Sequence, residues 1–460
     1  MAGKIYTFKG LLTENGWLQN AVVQLDAAGN VLSIAESAEK SGEYIDGYAL
    51  PGFQNAHSHA FQYAMAGLAE LHLDTAAQDD FWSWRNAMYG LALTLNPDQL
   101  EAVAAMLYSE MVRHGYTAVA EFHYLHHDQN GQPYANLAEM GERLIAAAQK
   151  VGIRITLVPM FYQQGGFGQP PLERQKRFIS KTINDYYKLL ESSEAAAKKY
   201  AYANTGVGIH SLRAVKPEDV REVCNTLDGT KPFHIHVSEQ LKEIEDCLAY
   251  HGKRPVQWLL DNCPVNENYH LVHATHLDDS EVKGIAQSGA HVVLCPSTEG
   301  NLGDGLFRFG DFKKHNGKWS IGTDSHVGLN PFEELRLLDY GQRLVTHSRT
   351  TFVTPDSGDS GFNAIKMAWQ SGRSAMGSAN SHFFETGQPF DAVVIKSGSP
   401  LTATAATRHL CNTFLYSSDV SDIQGTMVGG KWVAFHTSQL NRDTIVNDFI
   451  KTMEELGTRK

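Results

Sequence analysis

Two histidines separated by one serine, His57-Ser58-His59, follow directly on a strand-like run, PGFQNA. On an extended chain residues two apart face the same side, so both imidazoles can reach one ion. In a chain with 21 histidines, an isolated pair of this kind is as readily two hydrogen-bonded loop residues. The pattern does not stop there. Polar, metal-competent residues recur at the ends of later strand-like runs: His210 in GVGIHSLR, His236 and Glu239 in HIHVSE, His273 in LVHATH and Asp324 in IGTDSH. Core strands end in apolar residues by default, and strand end after strand end carrying His or Asp is hard to obtain from packing alone. Three imidazoles and one carboxylate suit a borderline divalent cation such as Zn2+, whose bound water is acidified to a pKa of about 7. The expected ligand set is His57, His59, His236 and Asp324. Without an obvious lysine at a strand end to carry a bridging carbamate, one ion is expected rather than two.

Other histidines read differently. His234 shares a strand face with His236 but lies two residues deeper, which suits a core histidine or one that supports a ligand. His123, His126 and His127 cluster after a second strand-like run and are read as a polar loop.

These side chains need elements that hold them. After Pro51 the sequence alternates strand-like runs with helical ones. YALPGFQNA, TAVAEF, IRITLVPMF, GVGIH, PFHIHV, YHLVHA, AHVVLC and WSIGTD are strand candidates. Stretches such as PDQLEAVAAMLYSEMVRHG, NLAEMGERLIAAAQKVG, KPEDVREVCNTL and LDDSEVKGIAQSG carry helical periodicity between them. Strand followed by helix, closing at eight, predicts an α/β fold of the (β/α)8 barrel class. No Gly-x-Gly-x-x-Gly follows the first strand, which argues against a dinucleotide-binding sheet. The first fifty residues read as short strands with turns, and β character returns after Gly387 in FDAVVIKSG and TMVGGKWVAF. Residues 1–50 and 387–460 are therefore expected to form a small β-sandwich-like domain beside a barrel of residues 51–386. The Gly- and Gln-rich stretch from Gln163 to Pro171 is expected to be a loop over the active face.

Composition sets the outer limits. The 460 residues are 42% hydrophobic and 20% charged, a globular balance with ample apolar surface for a core. A formal net charge of −12 with no basic run argues against nucleic acid as a partner. The five cysteines are odd in number and lack a Cys-x-x-Cys pair, which fits a reducing cytoplasm better than a disulfide framework. Neither a secretory leader nor an apolar run long enough for a membrane span is seen. Barrel enzymes often form homodimers, but no interface residue can be picked out.

PGFQNAHSHAFQ, HIHVSEQ, LVHATHL and GTDSH together resemble the amidohydrolase superfamily in its deaminase branch, and the match runs through most of the barrel. The β module made from both ends, with GQPFDAVVI, is similar to that superfamily's accessory domain. Within the branch, FQ directly after His-Ser-His, the FHYLHH stretch and CPSTEGNLGDG resemble the formimidoylglutamate deiminases, which act on N-formimino-L-glutamate in histidine breakdown. The resemblance implies a zinc-dependent hydrolytic deiminase. Asp324 would help to activate water, Glu239 would pass a proton to the departing nitrogen, and His273 would hold the nucleophile or the tetrahedral centre. It also implies a small substrate with two carboxylates, for which Arg85 in FWSWR and Arg213 in HSLR offer bidentate partners. Gln62, Tyr124 and His210 would complete the cradle. Two rival readings stand beside this one. A heterocycle deaminase would use the same metal and prefer aromatic walls, which Phe61, Trp82 and Trp84 could supply. A non-catalytic barrel scaffold would not need Glu239 and His273 beside an intact ligand set.

Overall fold

The computed structural model describes residues 3–70, 81–226, 229–378, 382–436 and 438–457. Each strand-like run read from the sequence holds one strand or parts of two, and the strands sort into two sheets. The chain opens with β1 (Ile5–Thr13), β2 (Gly16–Leu25), β3 (Val31–Glu36) and β4 (Glu43–Pro51). It then enters the barrel with β5 (Phe53–Ser58), β6 (Tyr116–His123), β7 (Arg154–Phe161), the short β8 (Ala203–Thr205) and β9 (Val207–Ser211). The barrel continues with β10 (Phe233–Val237), β11 (Tyr269–His273), β12 (His291–Leu294) and β13 (Lys318–Ile321). The run YALPGFQNA is thus divided: its first residues end β4, Gly52 turns the chain, and the remainder starts β5.

Neighbouring barrel strands pair in parallel in the order β5-β6-β7-β9-β10-β11-β12-β13, with β8 extending the edge of β7. Their apolar runs are buried on both faces, which is why Val, Ile and Leu are nearly continuous rather than alternating. Helices between the strands begin on sequence-encoded caps. Asn96 and Gln99 form a reciprocal capping box at the start of Pro97–Arg113, and Asp278 with Glu281 do the same for Asp279–Ser288. The ring closes where β13 meets β5: Thr323 N–H and Asp324 N–H both donate to the His57 carbonyl at 3.1 Å, and His59 N–H donates to the Asp324 carbonyl at 3.3 Å. Gly322 permits this approach, since a Cβ there would stand 2.7 Å from His57 Cβ. The fold is a (β/α)8 barrel with a separate sheet built from both termini.

That second sheet adds β14 (Ala392–Lys396), β15 (Ile423–Val428), β16 (Lys431–Phe435) and β17 (Ser438–Gln439) to β1–β4. Its order is β17-β16-β15-β14-β4-β1-β2-β3, antiparallel except for the β1–β4 pair. β14 and β4 join the two ends of the chain. Arg154 at the foot of β7 clamps Asp391 beside β14 through two nitrogens, at 2.6 and 3.1 Å, tying barrel to sheet. The last helix, Arg442–Leu456, leaves the sheet and lies along Pro97–Arg113, where Arg442 pairs with Glu110 at 2.6 Å. All five cysteines are free and buried. Among the described residues no helix is long and apolar enough to cross a membrane.

Candidate active site

The carboxyl ends of the barrel strands bring the predicted residues to one place. A cavity of 40 Å3 is lined by His59, Gln62, Arg85, Tyr124, His210, Arg213, His236, Glu239, His273 and Asp324, with Trp84, Met88 and Leu302. His57 completes the set from behind, fully buried beneath His59. Such a volume holds an ion and a few waters. The larger cavities of the molecule lie elsewhere and share none of these residues.

The imidazoles converge through their Nε2 atoms. His57 Nε2 lies 3.1 Å from His59 Nε2 and 3.1 Å from His236 Nε2. Asp324 Oδ1 stands 3.4 Å from His59 Nε2 and 3.5 Å from His57 Nε2. The opposite ring edges explain why a cation fits here. His59 Nδ1 meets the Phe122 carbonyl and His236 Nδ1 meets the His210 carbonyl, each at 2.9 Å. A carbonyl only accepts, so both Nδ1 atoms carry the proton and both Nε2 atoms present bare lone pairs. A proton on His57 Nε2 can serve one of these neighbours but not both, whereas a divalent ion satisfies all three. Burial holds these imidazoles neutral, with His57 pushed down to about 3 and His59 and His236 also lowered. Neutral imidazole is the ligating form. Asp324 stays below the ordinary carboxylate range: burial opposes its charge, but its hydrogen bond with His57 and the positive charge favoured on His273 outweigh that. His57 belongs to two groups of donors lying within 4.8 Å of one another, one with His59 and Asp324 and one with His236 and His273.

The residues expected to move protons stand beside this cluster. His273 Nε2 is 3.7 Å from Glu239 Oε1 and 3.7 Å from Asp324 Oδ2. Burial raises the affinity of Glu239 for its proton, although His273 and Arg213 pull the other way. Two of the site residues and their chain neighbours adopt left-handed backbone, with φ of +68° at His273, +46° at Asp324, +53° at Ser238, +49° at Ala274 and +65° at His326. For non-glycine residues that conformation costs about 1–2 kcal/mol each. Its concentration at the strand ends marks where the fold sacrifices backbone comfort to aim side chains.

On the far side of the cavity, Arg213 is 7% exposed, and its Nε and Nη1 have no hydrogen-bond partner. Its nearest counter-charge, Glu243 Oε2, is 3.9 Å away, beyond hydrogen-bond length. Arg85 Nη2 donates to the Tyr162 hydroxyl at 3.2 Å, and Tyr162 is held in turn by Gln175 at 2.9 Å. Gln62 Nε2 donates to the Tyr124 hydroxyl at 3.0 Å and leaves its Oε1 unpartnered. His210 lies between Tyr162 and Tyr124, with ring centroids 4.5 and 5.7 Å away.

The other predicted positions fall outside the cluster. His234 is buried and bonded to the Ala375 carbonyl at 3.1 Å, stacked on His270 at the floor of the barrel. His123, His126 and His127 are not a solvated loop: the first two are buried, and His126 and His127 bond to the Met160 and Ile179 carbonyls. The stretch 163–171 is a loop, but Phe167 packs on Tyr250 and His251 at the rim. No residue of that stretch lines the cavity; Trp84, Arg85 and Met88 on the helix Phe81–Thr94 and Leu302 do. Phe61 is buried without lining the cavity, and the side chain of Trp82 lies outside the described residues. Two residues escaped the sequence reading. Glu121 binds Ser58 Oγ at 2.6 Å, Ala60 N–H at 2.6 Å and Tyr108 OH at 3.0 Å, and so fixes the His-Ser-His turn. A lone acid inside the apolar run TAVAEF was its signal. Glu299 contacts His273, and its signal was an acid directly after CPST.

The model of the Amidohydrolase family matches residues 48–433. The chain belongs to the amidohydrolase family. A formimidoylglutamate deiminase of Pseudomonas aeruginosa is 40% identical over 454 residues, covering 98% of this amidohydrolase and 99% of that protein. A 5-methylthioadenosine/S-adenosylhomocysteine deaminase of Haloarcula marismortui is 25% identical over 391 residues, covering 84% and 81%. The crystal structure of an amidohydrolase from Brucella melitensis superposes with a TM-score of 0.92 at 39% identity, covering 98% of this chain and 99% of that one. An adenosine deaminase from Xanthomonas campestris with bound zinc superposes with a TM-score of 0.81 at 18% identity, covering 99% of each chain, and shows the shared fold. This amidohydrolase is a hydrolase acting on C–N bonds.

Proposed function

We propose that this amidohydrolase deiminates N-formimino-L-glutamate to N-formyl-L-glutamate and ammonia, a step of histidine degradation carried out in the cytoplasm. The observation that carries the reading is Arg213: a buried guanidinium lining the cavity, with Nε and Nη1 unpartnered. Such a group asks for a carboxylate, and Arg85, which lines the same cavity, offers a second cation. A glutamate derivative brings two carboxylates. The similarity to the Pseudomonas aeruginosa formimidoylglutamate deiminase along nearly the whole chain supports the same substrate.

His57, His59, His236 and Asp324 would hold one divalent ion, with zinc favoured by the nitrogen-rich donor set. Once bound, the ion supplies Lewis acidity and lowers the pKa of water at the site. Asp324 takes up a proton as the water oxygen attacks the formimino carbon. Glu239, whose burial favours its protonated form, gives its proton to the imino nitrogen as the C=N bond opens; the proton on Asp324 then passes to that nitrogen as the C–N bond breaks and ammonia leaves, and the hydroxyl proton of the tetrahedral centre returns to Glu239 as the formyl C=O forms. His273 steadies the tetrahedral centre through Nε2. Arg85 and Arg213 grip the carboxylates, and Gln62, Tyr124 and His210 add hydrogen bonds that fix the substrate's orientation. A heterocycle would find little purchase on the two guanidinium groups.

The test is a metal assay on purified protein combined with ammonia release from N-formimino-L-glutamate. About one ion per chain and stoichiometric ammonia support the reading. Turnover of adenosine, guanine or cytosine derivatives with no turnover of formiminoglutamate replaces it with a heterocycle deaminase, and metal-free inactivity toward all of these favours a scaffold.

A further inference from the structure

We propose that Glu299 is a positioning residue that fixes the ring orientation and tautomer of His273, an inference that deepens the reading of the site given above. His273 sits at the end of β11 with φ +68°, followed by Ala274 at +49°. Its ring direction is therefore not inherited from regular strand geometry. Its Nε2 faces Glu239 and Asp324 at 3.7 Å, too far for either to lock it. The ring's hydrogen bond is on the other edge, where Nδ1 meets Glu299 Oε1 at 3.2 Å, and it is the one such bond of this ring among the described residues. A carboxylate opposite Nδ1 holds a proton there and turns Nε2 toward the reacting centre.

Glu299 is itself held. It is 6% exposed and lies on the helix Pro296–Leu302, and the same Oε1 accepts the Cys295 N–H at 2.9 Å. A residue that merely capped this short helix would need only the second bond. The first one reaches across to a different strand and touches a side chain lining the cavity. The carboxylate thus connects the loop after β12 to the end of β11, and the orientation of His273 depends on a segment outside its own strand.

Three variants separate positioning from capping, studied in the metal-loaded full chain. Glu299→Ala removes the acceptor, Glu299→Met removes it while keeping side-chain length, and Glu299→Gln keeps an amide oxygen able to accept both bonds. In 15N-histidine NMR the wild type should show a protected Nδ1–H from His273, assigned by its loss in His273→Asn. That signal should vanish in the Ala and Met variants and persist in Gln. With formiminoglutamate, Ala and Met should lose about 10-fold or more in kcat with KM within about 3-fold and metal content kept, while Gln stays near wild type. In the His273→Asn background Glu299→Ala should cost less than about 2-fold, since the two act as one unit. An unchanged His273 signal in both the Ala and Met variants overturns the proposal, as does an equal cost in both backgrounds. The NMR arm needs no substrate, so it fails or succeeds apart from the assignment of formiminoglutamate.

Discussion

Ser58 pairs with Asp324 across the seam where the first and last barrel strands meet. Ser58 separates the two histidines of the His-x-His motif, and Asp324 carries the carboxylate that faces them. Barrel closure and assembly of the proposed donor set are therefore one structural event. His57 and His59 enter the site from one edge of the seam and Asp324 from the other, so the donor set forms only when the ring is complete. An ion held by the proposed set would couple the stability of the closed barrel to its occupancy, because a ligand that binds only the folded state stabilises it by mass action.

His59→Ala is the first test of that coupling. It removes one of the Nε2 donors at 3.1 Å from His57 and leaves the backbone bonds of the seam in place. Metal content should fall well below one per chain and activity by about 100-fold or more. The thermal shift gained on adding zinc should shrink in parallel. Elemental analysis with a melting series at fixed zinc checks both. Full metal and full activity together would move the ligand role to another histidine.

Glu239→Gln keeps shape and hydrogen bonding but cannot carry a proton as a carboxyl does. Metal content should be retained while turnover drops about 100-fold or more. His273→Asn should show the same order, metal kept and rate lost. Single-turnover measurement with elemental analysis on the same preparations decides this, and wild-type turnover in Glu239→Gln would leave that residue a structural role only.

How much of this was legible beforehand differs by layer. The eight barrel strands were readable because strands buried on both faces are written as apolar runs, and the metal-competent residues stood out as exceptions at their ends. His57, His236 and Asp324 needed no three-dimensional information to be nominated. Cover of the site was not legible in that way. Gly and Gln at 163–171 indicated a loop, but composition cannot say which way a loop packs, and Phe167 turned it onto Tyr250. Arg85 and Trp84 line the cavity from a helix tied to a distant partner, the Arg177 side chain, which donates to the Leu95 carbonyl just beyond its end at 2.7 Å. Glu121 and Glu299 were overlooked for a related reason: their importance lies in what they hold, and a supporting residue has no spacing rule of its own.

Glu121 gives a prediction with a pH sign. Burial is the main cause that lifts its carboxyl from 4.5 to about 7, against the bonds from Ala60, Ser58 and Tyr108. A folded-state value above the unfolded one means that the group's favourable contribution is complete below about pH 4.5 and is lost as pH rises to about 7. Glu121→Gln does not titrate. Measured by urea unfolding at equal metal loading, the stability of the variant relative to wild type should therefore improve between pH 5 and pH 7.5. A difference that stays flat across that range would show that Glu121 titrates as an ordinary carboxyl.

The arginines decide the substrate class. If Arg85 and Arg213 hold the two carboxylates, Arg→Met at either should cost about 1.5–3 kcal/mol in kcat/KM for formiminoglutamate, because a charge-assisted pair is lost and a carboxylate is left unpaired. Metal content should not change, since neither side chain is among the donors around His57. A substrate lacking one carboxylate should be poor with wild type, yet it should suffer less from mutation of the arginine whose partner it lacks. That crossed pattern assigns each guanidinium to one end of the substrate. Arg213 is expected to show the larger effect: its Nε and Nη1 are buried without partners, so the substrate carboxylate relieves a desolvated charge as well as adding a bond. Arg85 already shares Tyr162 and should lose less. Equal, small effects from both arginines on every substrate would remove the two-carboxylate reading while leaving the proposed metal donors and proton-transfer residues untouched.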